Sequence, residues 1–242
     1  MCTVTFIPSG NGVYITSNRD EKYLRKPAVA PEKYRYQDVT ILYPKDSDAG
    51  GSWIAMRNNG NAAVLLNGAF EKHIPSPPYE KSRGLIFLDM AKDDIMVRKF
   101  LHYDLDNIEP FTLIVFEDKN LYECRWNGNK KFCKQLKHYT PHIWSSATLY
   151  DEQVVCKREV WFTKWLQCNS HPSQNDILNF HRFAGDGDEQ NDLHMNRDGL
   201  VRTVSITSMK LSEEKGIMTY LDLKNNMMFH EQMEFMSDYI IA

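Results

Sequence analysis

The chain has 242 residues, 42% of them apolar and 25% charged, with a formal net charge of −3. That apolar share is enough for a core and suits a single domain over residues 1–242, while no basic run is long enough for a nucleic-acid or anionic-membrane surface. No stretch approaches the length of a membrane-spanning helix, and residues 1–10 have neither the positive charge nor the apolar core of a signal peptide, so a cytoplasmic location is expected.

Cys2-Thr3-Val4-Thr5-Phe6-Ile7 alternates and is rich in β-formers, which predicts a strand. Pro8-Ser9-Gly10-Asn11-Gly12 is a turn, and Val13-Tyr14-Ile15-Thr16 is the returning strand. In such an antiparallel hairpin, residues 16–20 lie beside residue 2. Residues 22–48 are polar and broken by proline, with a short strand expected at 39–43. A second hairpin joins Ser52-Trp53-Ile54-Ala55-Met56 to Ala62-Ala63-Val64-Leu65-Leu66 through Asn59-Gly60, and Asn67-Gly68 closes it. After the proline-rich residues 70–79, which read as an ordinary connection with a mobile lid over Asn67 as the alternative, residues 81–92 predict a helix that 93–102 continue. Strands follow at 111–117, 121–126 and 131–136. Residues 150–168 predict a long helix with Val154, Val155, Trp161, Trp165 and Leu166 near one face, and 176–183 a shorter one. A last hairpin pairs 201–209 with 216–223, and 227–233 add an edge strand. This order has no βαβ alternation. It indicates the α+β class, with two antiparallel sheets packed together and helices over the outer faces.

The cysteines stand at 2, 124, 133, 156 and 168, an odd count without C-x-x-C spacing. Cys124, Cys133, Cys156 and Cys168 read as small buried apolar residues. Cys2 differs. Once Met1 is removed, an N-terminal cysteine carries both a nucleophilic sulfur and an α-amine that can take its proton. Arg19 would favour the thiolate, Asp20 would hold the ammonium, and Asn67 at a strand end offers an oxyanion donor. Each feature alone has an ordinary explanation as a turn or a solvated charge. The acidic run at 184–192 lacks the ligand spacing of a calcium loop, and residues 186–198 read as an insertion before the last hairpin that shapes a pocket rim. His138, His142, His171, His181 and His194 show no metal-ligand spacing, so no metal site is expected.

Met1-Cys2-Thr3, Ser17-Asn18-Arg19-Asp20-Glu21 and Arg25-Lys26-Pro27-Ala28 resemble the NRDE-protein family, also called the transport and Golgi organisation two family. Gly50-Gly51-Ser52-Trp53-Ile54-Ala55 resembles its G-G-T-W-L-G strand, Ala63-Val64-Leu65-Leu66-Asn67 its A-x-L-T-N strand end, and Lys81-Ser82-Arg83-Gly84-Leu85 its R-S-R-G-x-L helix start. Farther on, Ile143-Trp144-Ser145-Ser146-Ala147-Thr148-Leu149 resembles its G-L-S-N-x-x-L segment, with Ser146 where Asn is usual, and Arg202-Thr203-Val204-Ser205 resembles its T-R-S-S-T strand. The family is similar, more remotely, to the choloylglycine hydrolase and penicillin acylase group of N-terminal-nucleophile (Ntn) hydrolases. The resemblance implies a four-layer αββα sandwich. It implies Cys2 as nucleophile, Arg19 and Asp20 to tune and orient it, Asn67 in the oxyanion hole, Arg202 supporting the pocket, and Trp53 and Ser146 as binding residues. The implied reaction is hydrolysis of a linear, non-peptide amide of a small molecule, without a cofactor. The alternative it implies is a non-catalytic carrier of a hydrophobic ligand, an acyl-lipid or haem, on the same fold.

Overall fold

A computed structural model describes residues 3–236. The opening hairpin forms as expected, with β1 (Thr3–Ser9) antiparallel to β2 (Gly12–Lys22) and Thr3 opposite Asn18. These strands sit inside a seven-stranded sheet. Its order is β10 (His142–Ser145), β1, β2, β12 (Val201–Leu211), β13 (Lys215–Asp222) and β14 (Met227–Glu234), and β11 (Asn196–Arg197) pairs with β12. The second sheet also has seven strands, in chain order: β3 (Val29–Tyr36), β4 (Val39–Lys45), β5 (Ile54–Arg57), β6 (Ala62–Asn67), β7 (Phe111–Glu117), β8 (Asn120–Trp126) and β9 (Lys131–Leu136). Both sheets are antiparallel throughout.

Period-two alternation stacks the layers. Val4, Phe6, Val13 and Ile15 join Ile54, Val64 and Ile114 in the main core. Ile7 and Tyr14 point the other way and pack with Phe162, Ile177 and Phe180. Those partners lie on α3 (Glu152–Cys168) and α4 (Gln174–Phe183), which cover the first sheet. The Asp151 side chain caps α3 by accepting from the Val154 amide, and Ser173 with Asp176 forms a capping box on α4. On the second sheet, α1 (Arg83–Ala91) and α2 (Met96–His102) bury Ile86, Phe87, Met90 and Phe100. Each such side chain stabilises the fold by about 1.5–3 kcal/mol. The result is the expected α+β sandwich of four layers, αββα. No helix among the described residues is long and apolar enough to cross a membrane.

Three local expectations need correction. Residues 29–36, expected as irregular chain, form β3. It is an edge strand, and its register shifts between Val29 and Glu32, around Pro31. An edge strand with a bulge is where a sheet tolerates proline, so its composition hides it. On α3 the most deeply buried residues are Arg158 and Phe162, while Val154 and Val155 are only half-buried. Arg158 is invisible to a hydrophobic pattern because it is charged. It is accommodated because its guanidinium donates to the Thr3 hydroxyl and to the Asn191 and Asp192 carbonyls. Finally, Cys124 is buried, but Cys133, Cys156 and Cys168 are exposed. Cys133 lies on the edge strand β9 and the other two on α3, where one strand side or helix face remains in water.

Candidate functional site

The Asn18-Arg19-Asp20-Glu21 run forms the end of β2, so its side chains alternate between faces. Arg19 points inward, between the sheets, and is only 4% exposed. Its guanidinium donates to Asp46 Oδ2 at 2.5 Å and lies 4.7 Å above the Trp53 ring centre. Arg25 donates to Asp46 Oδ1 at 3.0 Å and to Glu21 at 3.1 Å. Asp46 follows β4 and also accepts from the backbone amides of Asp48 and Ala49. Burial alone would raise its carboxyl pKa. The Ala49 amide and the guanidinium groups of Arg19 and Arg25 outweigh that and hold it below the ordinary carboxylate range.

A cavity of about 420 Å³ opens beside this ion-pair cluster, with Arg19, Trp53, Leu65, Asn67, Tyr79 and Arg83 in its wall. Trp53 enters from the chain leading into β5, Leu65 and Asn67 from β6, and Arg83 from the start of α1. Arg83 pairs with Glu109 at 2.9 Å. Two glycines let this wall close: a Cβ on Gly51 would lie 2.5 Å from the Gly84 carbonyl carbon, and the Ser52 amide donates to the Gly84 carbonyl at 3.2 Å. Close backbone contact therefore gives the Gly50-Gly51-Ser52-Trp53 and Ser82-Arg83-Gly84 segments a shared structural reason.

The inner face of the first sheet is polar near Arg19. Ser205 lies opposite Arg19 in register, and Thr207 opposite Ser17. The Ser205 hydroxyl is buried beside the Tyr220 hydroxyl, whereas the Thr207 hydroxyl and the Trp53 indole N–H are buried without a hydrogen-bond partner among the described residues. Buried polar groups in this condition call for water or a ligand.

On the outer face the polar groups are paired. Asn18 Nδ2 donates to the His181 and Leu193 carbonyls at 3.1 and 2.7 Å. Its Oδ1 lies 2.6 Å from His181 Nδ1, and His181 Nε2 lies 2.7 Å from the Thr5 hydroxyl. An amide oxygen only accepts, so His181 carries its proton on Nδ1 and accepts from Thr5 at Nε2. Burial, and then the charge of Arg158, push the His181 pKa down to about 3. Asp20 accepts from Tyr150 at 2.7 Å and from Thr203 at 2.5 Å.

The structure thus brings Arg19, Trp53 and Asn67 to one cavity. Ser146 is adjacent, but its hydroxyl donates to the Asn67 carbonyl at 2.8 Å and contacts Thr148 Oγ1 at 2.9 Å. Asp20 and Arg19 stand on opposite faces of β2. Arg202 is not in the cavity wall; its guanidinium lies 4.6 Å above the Tyr23 ring. The 186–198 segment also stays away from this cavity and packs over α3, where Arg158 ties down Asn191 and Asp192. Cys2 lies outside the described residues. Among the described residues no group of three or more His, Cys, Asp or Glu could hold a metal ion. Sequence reasoning missed Asp46, the acidic partner of Arg19. Its signal was Asp46-Ser47-Asp48-Ala49-Gly50 just after a strand, a pattern suited to a side chain that accepts from the following amides.

The model of the family described as Transport and Golgi organisation 2 matches residues 1–227. No curated protein matches the sequence significantly. Among solved structures, the chain resembles the Caenorhabditis elegans ortholog of N-acylethanolamine-hydrolyzing acid amidase. The TM-score is 0.62 at 12% identity, covering 86% of this chain and 92% of the other. It also resembles conjugated bile acid hydrolase from Clostridium perfringens in two mutant forms. One gives a TM-score of 0.57 at 10% identity, covering 98% of this chain and 97% of that one. The other gives 0.53 at 9% identity, covering 100% and 98%. At these identities the likeness establishes the fold, which is that of the Ntn hydrolases.

Proposed function

From the premise that this chain belongs to the Transport and Golgi organisation 2 family and has an Ntn-hydrolase-like fold, we propose that it hydrolyses a linear, non-peptide amide of a small molecule, with Cys2 as nucleophile after loss of Met1. One observation carries the reading. Thr3 is flanked by Asn18 and Ser145, at the end of the hairpin where Arg19 borders the 420 Å³ cavity. Cys2 directly precedes Thr3 in sequence, and the residues that follow Asn18 and Ser145 are Arg19 and Ser146.

In this reading the Cys2 sulfur attacks the amide carbonyl while the α-amine takes the thiol proton and passes it to the departing amine. Water then cleaves the thioester and releases the acid. Arg19, fixed by Asp46 and Trp53, supplies positive charge beside the sulfur. The Asn67 side chain serves the developing oxyanion. Asp20, held by the Tyr150 and Thr203 hydroxyls, serves the ammonium. Ser146 acts one step back by fixing the Asn67 carbonyl. The likeness to an N-acylethanolamine-hydrolyzing acid amidase and to a conjugated bile acid hydrolase supports an acyl-amide substrate.

The experiment combines intact mass spectrometry with turnover of N-acyl amides of graded chain length. Met1 is expected to be absent, and Cys2→Ala is expected to abolish turnover. Retention of Met1 in nearly all molecules would sink the mechanism, because the amine would then be an amide. Trp53 and Leu65 also give the cavity an apolar wall suited to an acyl-lipid or haem. Tight binding of either, unchanged by Cys2→Ser and without turnover, would support the carrier reading instead.

A further inference from the structure

The β8–β9 hairpin brings together two cysteines that their spacing in sequence does not advertise. Cys124 and Cys133 are directly opposite in register, and their sulfurs are 3.3 Å apart. Directly opposed residues of an antiparallel pair have Cα atoms about 4.5–5.5 Å apart, inside the range of about 4.4–6.8 Å that a disulfide spans. Side-chain rotation alone can therefore close the remaining gap. The two thiols have different surroundings. Cys124 is wholly buried in the main core, whereas Cys133 faces solvent on the edge strand of the second sheet.

We propose that this pair is a peroxide-sensitive modification site, with Cys133 as the reacting thiol and Cys124 as the resolving one. The Cys133 thiolate attacks one oxygen of a hydroperoxide and breaks the O–O bond, leaving a sulfenic acid and releasing hydroxide or alkoxide. The Cys124 sulfur then attacks the Cys133 sulfur. The S–O bond breaks, and the departing oxygen leaves as water with the Cys124 proton. Two thiols lose two electrons and the peroxide gains them. The hydrogen bond from the Cys124 thiol favours the Cys133 thiolate and holds its pKa below the usual thiol value, although burial and the charge of Glu117 oppose this. Cys124, donating that bond and buried, is held above it. The outer member of the pair is thus both the accessible and the more ionised one, as a sensing cysteine requires. The pair does not include Cys2, and nothing in it depends on an amidase reading.

The test is peptide-resolved mass spectrometry of the full chain. With a limiting alkylating agent near neutral pH, Cys133 is expected to react several-fold faster than Cys156 and Cys168, which are also exposed and serve as internal references. Each unit of pKa depression is worth about threefold, after the loss of nucleophilicity is counted. Hydrogen peroxide is expected to give a reducible Cys124–Cys133 disulfide in wild type. In Cys124→Ala and Cys124→Ser it is expected to give a Cys133 sulfenic acid that dimedone traps. If both variants fail to fold, the wild-type peptide map decides alone. Alkylation of Cys133 no faster than of Cys156 and Cys168 would overturn the proposal. So would a wild-type protein in which Cys133 reaches the sulfinic acid while Cys124 stays a free thiol.

Discussion

On the outer face of the first sheet, Asn18 satisfies two carbonyls and one imidazole N–H, and His181 uses both ring nitrogens. On the inner side, the Thr207 hydroxyl of the same sheet and the Trp53 indole N–H find no hydrogen-bond partner among the described residues. Both sets are buried. A group taken out of water must recover its hydrogen bonds or destabilise the fold. The outer set recovers them within the protein and fastens α4 to β2. The inner set borders the Arg19 region and recovers none of them from the described residues. The two faces of one sheet thus do different work because side chains alternate along its strands.

The largest expected effect comes from breaking the outer network. Asn18→Ala strands an imidazole N–H and two carbonyls in the interior and should cost about 3 kcal/mol or more. Denaturant unfolding measures it, and a loss under about 1 kcal/mol would contradict the fastening role. The same network gives a pH dependence of fixed sign. His181 is held near 3 in the folded chain, against about 6.5 when unfolded. Between those values the unfolded state binds the extra proton, so stability falls as pH drops, by up to about 1.4 kcal/mol per unit. Unfolding at a series of pH values should show that slope in wild type and a shallower one in His181→Gln.

A smaller loss is expected between the sheets, where Asp46 holds Arg19. Asp46→Asn removes the anion from Arg19 and Arg25 and should cost about 2 kcal/mol at neutral pH. Because the wild-type carboxyl is held below its ordinary value, this advantage should shrink as pH falls through the acidic range where Asp46 protonates. Paired thermal melts at neutral and acidic pH would show the two proteins converging. The smallest stability effect is predicted for the inner face. Thr207→Val replaces a hydroxyl that has no partner among the described residues and should shift stability by no more than about 0.5 kcal/mol. If its role lies with the ligand, turnover or ligand affinity should change far more than the melting curve.

Much of this was readable beforehand. The two N-terminal hairpins followed from alternation and turn residues, and they carried Arg19 and Asn67 to a common region. The residues themselves could also have shown that Arg19 and Asp20, adjacent on a strand, point to opposite faces. What was hidden involved pairing across distance. Asp46 meets Arg19 only after β4 has folded across, Arg158 is buried against the grain of its charge, and β3 is masked by proline at an edge. The Cys124–Cys133 pair falls in the same class, since only a hairpin register brings the two sulfurs together.

The contact of Gly51 with Gly84 has a practical consequence for anyone wishing to redesign the cavity. That stretch of wall is main chain against main chain, with no room for a methyl group at Gly51 and only a tight fit for one at Gly84. It cannot be widened by trimming a side chain or narrowed by adding one without displacing α1 from β5. Selectivity at this wall is therefore adjustable only through its projecting side chains, Trp53, Tyr79 and Arg83, and a mutational library aimed at new ligands should begin with them and leave the two glycines fixed.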